Sequence, residues 1–361
     1  MIFYINRGEL QTTYQLAEQM MRLAQSVQDP EFLWTAHFAL GAPSLWLGEL
    51  VSARRHLEQA IALSDDPQTR VRLTIGTADS RVNCLFYLAW TLWHLGYPDQ
   101  ALKRSQEAIA LAEGLAHPYS LAVALGFAAL FHLFRRDAQL ARERAEAVST
   151  LSTDQGFSLY LMYGMTIRGW ALTEQGQVEE GIAQMRQNGG SFLCPAKLAE
   201  AYGKVGQVEE GLSVVAEALA FVDKTGAYLS EAELYRIKGE LLLTREGKSQ
   251  KANSKSQKSE NPKPNSRILD PFSEAEACFL KAIEIAQKQS AKSLELRAVM
   301  SLVRLRQQQA AHHASHNTEH ESRTKLAEAH TMLSAIYDWF TEGFDTKDLQ
   351  EAKALLESLS S

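Results

Sequence analysis

Cysteine is scarce in this chain. Three occur among 361 residues, Cys84, Cys194 and Cys278, far apart and odd in number, with no CxxC. That excludes a disulfide framework and a thiolate zinc site, and it predicts a reducing, cytoplasmic compartment. Positive charge is also short: 37 Lys and Arg against 43 Asp and Glu leave a formal net charge of −6. Nucleic acid requires a clustered cationic excess, so it is not the expected partner. No apolar run is long enough to span a bilayer. The most apolar stretch, SLAVALGFAALFHLF (120–134), falls short of the ~20 residues such a span needs, and it contains Ser120 and His132. It reads as a buried helix, and no membrane partner is expected. The N-terminus, MIFYINRGELQ, lacks the basic region and apolar stretch of a signal peptide.

Catalytic motifs are missing as well. There is no GxxxxGKS/T to cradle phosphates, no GxGxxG after a strand, no GxSxG and no HExxH. Asp65–Asp66 reads as a turn at a helix end. Glu179–Glu180 and Glu209–Glu210 read as helix starts, where acidic groups suit the helix dipole. No catalytic, cofactor-binding or metal-binding residue is expected, and the chain is expected not to be an enzyme.

What the chain has is a repeat. GQVEEG stands at 176–181 and again at 206–211, and LGELVSA (47–53), LGYPDQA (95–101) and FRRDAQLA (134–141) occupy equivalent places. Each follows an apolar helical run and precedes a small residue that opens another. In 32–64, Leu33, Ala36, Leu40 and Leu47 recur near a 3.6-residue period, Gly48 ends the helix, and Ala53, Leu57, Ala60 and Ile61 share one face of the next. Small residues at fixed offsets let two antiparallel helices pack closely, which an unrelated bundle would not repeat. The expectation is an all-α, right-handed helical solenoid of about seven to eight helix–turn–helix repeats with two disordered insertions. In the fourth unit Arg136 takes the place of the turn glycine.

Glycine or alanine in the first helix, glycine at the turn and alanine twice in the second resemble tetratricopeptide (TPR) repeats of about 40 residues. YLAWTLWHLGYPDQALKRSQEAIALA (87–112), RGWALTEQGQVEEGIAQMRQ (168–187) and LAEAYGKVGQVEEGLSVVAEAL (198–219) are similar to the C-terminal TPR region of bacterial signalling proteins. In those proteins an adenylate/guanylate cyclase domain and an AAA ATPase precede the repeats. The resemblance implies a non-catalytic scaffold or sensor for protein–protein interaction in bacterial signal transduction. It also implies an ATPase or cyclase domain docking at the N-terminal face. The alternative is a portion of a multidomain cyclase or ATPase whose catalytic domains lie elsewhere. That alternative is motivated by a first helix lacking both a partner and a polar cap.

The expected organisation is a partial first repeat over 1–30, repeats over 31–245, and a disordered insertion over 246–269. Continued repeat is expected over 270–309, a His-rich loop over 310–324, and a last helix with C-terminal cap over 325–361. The insertion GKSQKANSKSQKSENPKPNSRILD is Lys-, Ser- and Asn-rich with Pro262 and Pro264. In the His-rich run, His312, His316 and His320 would share a face if helical, but the position reads as a polar turn rather than a zinc site. At QNGGSFLCPAK (187–197), Gly189 and Gly190 break a helix and Pro195 can only begin one. A short helix over about 196–205 is expected, with a kink leaving Phe192, Leu193 and Cys194 poorly packed.

First-helix residues of such an array line its concave face. Trp46, Asn83, Trp90, Trp93, Tyr163, Trp170 and Arg236 are therefore the candidate contacts for a protein or peptide ligand. The competing reading is that the aromatic members fill the core between repeats.

Overall fold

The computed structural model describes residues 9–65, 74–75, 78–256, 271–313 and 319–360. The helices are α1 (Leu10–Val27), α2 (Pro30–Trp46), α3 (Leu50–Asp65), α4 (Ser80–His94), α5 (Pro98–Gly114) and α6 (Pro118–Phe134). They continue with α7 (Ala138–Gln155), α8 (Ser158–Glu174), α9 (Val178–Gln187), the single turn α10 (Gly190–Leu193), α11 (Pro195–Val205) and α12 (Val208–Thr225). The last five are α13 (Glu231–Ser256), α14 (Pro271–Gln289), α15 (Lys292–His313), α16 (Glu319–Trp339) and α17 (Lys347–Ser360). A two-residue antiparallel ribbon pairs Thr74 with Asp79 and Ile75 with Ala78.

Local chemistry sets the hairpins. Asp29 caps α2 by accepting from the Glu31 and Phe32 amides, with Pro30 at the first helical position. Gly48 then takes a left-handed φ of 77° and turns the chain into α3. The two helices approach closely because Gly41 has no side chain; a Cβ there would lie 2.8 Å from the Leu57 Cγ. Ala53, Leu57 and Ala60 complete that contact and are fully buried.

The hairpins α2/α3, α4/α5, α6/α7, α8/α9, α11/α12, α13/α14 and α15/α16 stack in order. The first helix of each touches the first helix of the next, and α17 follows α15 in the same layer. The result is an all-α helical solenoid. The array curls until its end meets its beginning: α15 contacts α4, and the Ser293 hydroxyl donates to the Trp93 carbonyl at 2.6 Å. The Glu342 carboxylate accepts from the Asp99 and Gln100 amides at 3.0 Å each. One apolar cluster accordingly joins Trp34 and Trp93 near the start to Ile285 and Leu294 near the end.

Three local expectations are revised. Helix α11 begins at Pro195 as anticipated, but Cys194 is buried in the main core and Leu193 packs against it. The side chain of Phe192 lies outside the described residues. Gly189, at φ 81°, and Gly190, pressed against Met185, turn the chain back inward instead of leaving it loose. Second, α13 continues to Ser256, into the expected insertion, because its prolines do not begin until Pro262; 257–270 lie outside the described residues. Third, α15 runs to His313 and α16 starts at Glu319, so both ends of the expected His-rich loop are helical. Residues 314–318, with His316, and the side chains of His312, His313 and His320 lie outside the described set.

Candidate functional site

Among the described residues, the concave layer is filled with apolar side chains over much of its length and also holds an opening. A cavity of about 340 Å³ lies between α11, α13, α15 and α17, with Arg136 reaching in from the α6–α7 corner. Ile237, Leu241 and Met300 form an apolar floor. Most of the remaining wall is charged, with Arg136, Lys197, Lys204, Arg236, Arg297 and Arg304 against Glu200, Glu240, Asp348 and Glu351.

The repeat stacking places these groups. First-helix residues one or two turns apart face the same concavity, so α11 contributes Lys197 and Lys204, α13 Arg236 and Glu240, and α15 Arg297 and Arg304. Beneath them Glu233 ties three helices together. It takes a bidentate pair from Arg236, with oxygens at 2.8 and 2.9 Å. Arg297 lies 3.7 Å and Lys197 3.8 Å from the same carboxylate. Burial alone would raise the Glu233 pKa, but Arg236, Arg297 and Lys197 outweigh it and hold the group well below the ordinary carboxylate range. Glu200, half-buried and facing Lys197 and Arg236, is lowered to about 2. Asp348 is lowered too, against burial, by Arg297 and Arg136. These carboxylates are ionised at neutral pH, and the cavity is a fixed lattice of alternating charge.

Of the residues expected to bind a partner, Arg236 lines this cavity. The others lie elsewhere. Trp90, Trp93 and Trp170 are 2, 3 and 1% exposed, so the closed form uses them as core. The Trp90 indole donates to the Phe127 carbonyl. Trp93 stacks on Phe134 at 5.4 Å and carries the Arg297 guanidinium 4.9 Å from its centroid. Trp46 packs edge-on to Trp90 and Tyr163 edge-on to Phe127, both half-buried, and Asn83 is buried. A large aromatic gains most by leaving water entirely; neighbouring hairpins cover Trp90, and α15 adds cover over Trp93. The sequence reading missed Lys197, Arg297, Asp348 and Glu351. It noted Arg136 only as a departure from the turn pattern, which was the available signal. Among the described residues, none of the helices is long and apolar enough to cross a membrane.

No family model matches the chain. An uncharacterized protein of Rhizobium meliloti (strain 1021) is 22% identical over 312 residues, covering 83% of this chain and 28% of that protein. The chain thus spans less than a third of that relative's length. Among solved structures, the crystal structure of the yeast Tom70 aligns over 99% of this chain and 87% of that one, at 12% identity and a TM-score of 0.35.

Proposed function

We propose that this chain is a non-catalytic helical-repeat scaffold that receives a segment of a partner protein in the concave cavity. The observation that carries the reading is the cavity itself. It opens on the concave face, with an apolar floor and ion pairs around it. Such a lining gives area for an apolar anchor and directional groups to orient it. Arg236, Arg304 and Lys204 are the proposed contacts, with Trp93 backing the wall through the Arg297 guanidinium stacked on it. The resemblance of the repeats to those of cyclase–ATPase signalling proteins supports a partner of that class in bacterial signal transduction. Three separate buried thiols suit a reducing, cytoplasmic setting.

The test is site-specific photocrosslinking in cells, with the photoreactive residue at position 304 on the cavity rim and, as control, at position 58 on the outer helix α3. A discrete product from 304 and not from 58 is expected, and an ATPase or cyclase domain in that product is the finer expectation. Identical products from both positions, or none from 304, overturn the cavity as the binding site.

A further inference from the structure

We infer that α1 is the seam through which two copies of this chain pair, antiparallel, about a two-fold axis. The helix has two apolar faces. One is used: Leu10, Ala17 and Ala24 are buried, with Ala17 against Ala39 and Leu40 of α2. The other is bare, since Leu16, Met20, Leu23 and Val27 are all exposed, Leu23 by 65%. A lone exposed apolar side chain is ordinary, and elsewhere among the described residues the large ones occur at most one to a helix. Four in one stripe mark an interaction surface.

The spacing identifies the occupant. Positions 16, 20, 23 and 27 step by four, three and four, the rhythm of a coiled-coil seam. That rhythm reads the same in both directions along the helix. A two-fold axis between Met20 and Leu23 therefore sets Leu16 against Val27 and Met20 against Leu23 of the second copy, with each position filled. The solvent-side flank is Thr12, Gln19 and Ser26, all exposed and none charged. In an antiparallel pair this flank meets its own copy, where like charges would repel. Hydroxyl and amide groups, each both donor and acceptor, suit that self-contact instead. The charged residues of α1, Glu18 and Arg22, lie away from the seam. A partner helix with charged flanks would find no counter-charge along this edge, whereas a second copy needs none.

The experiment is sedimentation equilibrium on the whole chain and two variants, with circular dichroism to verify folding. The parent is expected to be a reversible dimer. Leu23→Glu, at an exposed position, is expected to keep the fold and weaken the dimer at least about tenfold. Met20→Lys combined with Leu23→Glu is expected to restore it, because antiparallel pairing sets each new acid against the new base of the other copy. Parallel pairing would set acid against acid and base against base. A parent that stays monomeric, a dimer indifferent to Leu23→Glu, or a double variant that is not rescued overturns the proposal. In the first of these outcomes the seam belongs to another polypeptide.

Discussion

The Arg136 guanidinium lies 2.9 Å from the Asp348 carboxylate, although 212 positions separate the two. Arg136 stands where other hairpins place glycine, and it keeps the left-handed conformation, with φ 61°. For a residue with a side chain that conformation costs about 1–2 kcal/mol. What offsets it is the reach of the side chain across the concave face to α17, where Glu351 also accepts from it at 3.0 Å. Arg297 of α15 holds the other Asp348 oxygen at 2.7 Å. One carboxylate thus fastens the middle of the array to its last helix, and the cavity exists because the array is held closed around it.

Replacing that carboxylate is expected to loosen the closure. Asp348→Asn leaves Arg136 and Arg297, both largely buried, without their shared counter-charge. Breaking a buried pair from one side costs about 3–5 kcal/mol. The denaturant midpoint should fall accordingly, and X-ray scattering should show a larger radius of gyration as the array relaxes. An unchanged midpoint and radius would show that closure rests on the apolar cluster alone.

The two glycines of the GQVEEG hexapeptide are expected to respond differently to alanine. Gly176 has a left-handed φ of 89° and open space around it, so Gly176→Ala costs only the strain of that conformation, about 1–2 kcal/mol. Gly181 is different. A Cβ there would lie 2.5 Å from the Gly169 carbonyl oxygen and 2.5 Å from the Thr173 methyl, so α8 and α9 must part. In an exposed helix the same change gains about 1 kcal/mol. Here overpacking reverses the sign, with about 1–3 kcal/mol lost. Thermal unfolding of the single variants and the pair separates the two causes.

Most of the fold was legible because repetition is a strong signal. A small residue at the same offset in successive units can mean only close helix packing, and Ala53, Ala101 and Ala141 are each fully buried. The cavity was not legible, because it depends on where the array ends up after curling. Asp348 and Arg136 belong to different hairpins, and no local pattern records that they meet. The tryptophans were ambiguous for the same reason. Their helical period places them on the first-helix side, but whether that side faces solvent or other repeats is decided by how the hairpins stack and curl.

Trp170 therefore serves as a probe of packing rather than of binding. It is fully buried, and its indole nitrogen has no hydrogen-bond partner among the described residues. Trp170→Ala should cost about 3–5 kcal/mol. Trp170→Phe should cost much less, since it keeps most of the apolar surface and removes an unpaired buried donor. Equal stability losses for Ala and Phe would contradict this. A triple Trp90, Trp93 and Trp170 to Ala variant should fail to fold, so loss of a partner in that variant would say nothing about contact.

Acid should destabilise the chain in two windows, the first belonging to histidine. His94 is buried between Trp93 and Phe134, at 4.8 and 5.5 Å, with Nδ1 2.8 Å from the Trp90 carbonyl oxygen. Burial lowers its pKa from 6.5 to about 4, opposed by the Trp90 hydrogen bond and aided by Arg297. His132 is likewise lowered by burial to about 4. The folded state then binds fewer protons than the unfolded one below pH 6.5. The stabilisation is full above about 6.5 and lost as pH falls toward 4, worth on the order of 3 kcal/mol for His94. The second window opens below about 4, the ordinary carboxylate range, where the depressed groups Glu200, Glu233 and Asp348 give up their contribution as they are protonated in turn. His94→Gln supplies an amide donor that does not titrate. Urea midpoints measured from pH 7.5 to 4.5 should fall steadily in the parent and less steeply in this variant. Parallel slopes would mean that His94 gains its proton without loss of structure and that the acid sensitivity lies elsewhere.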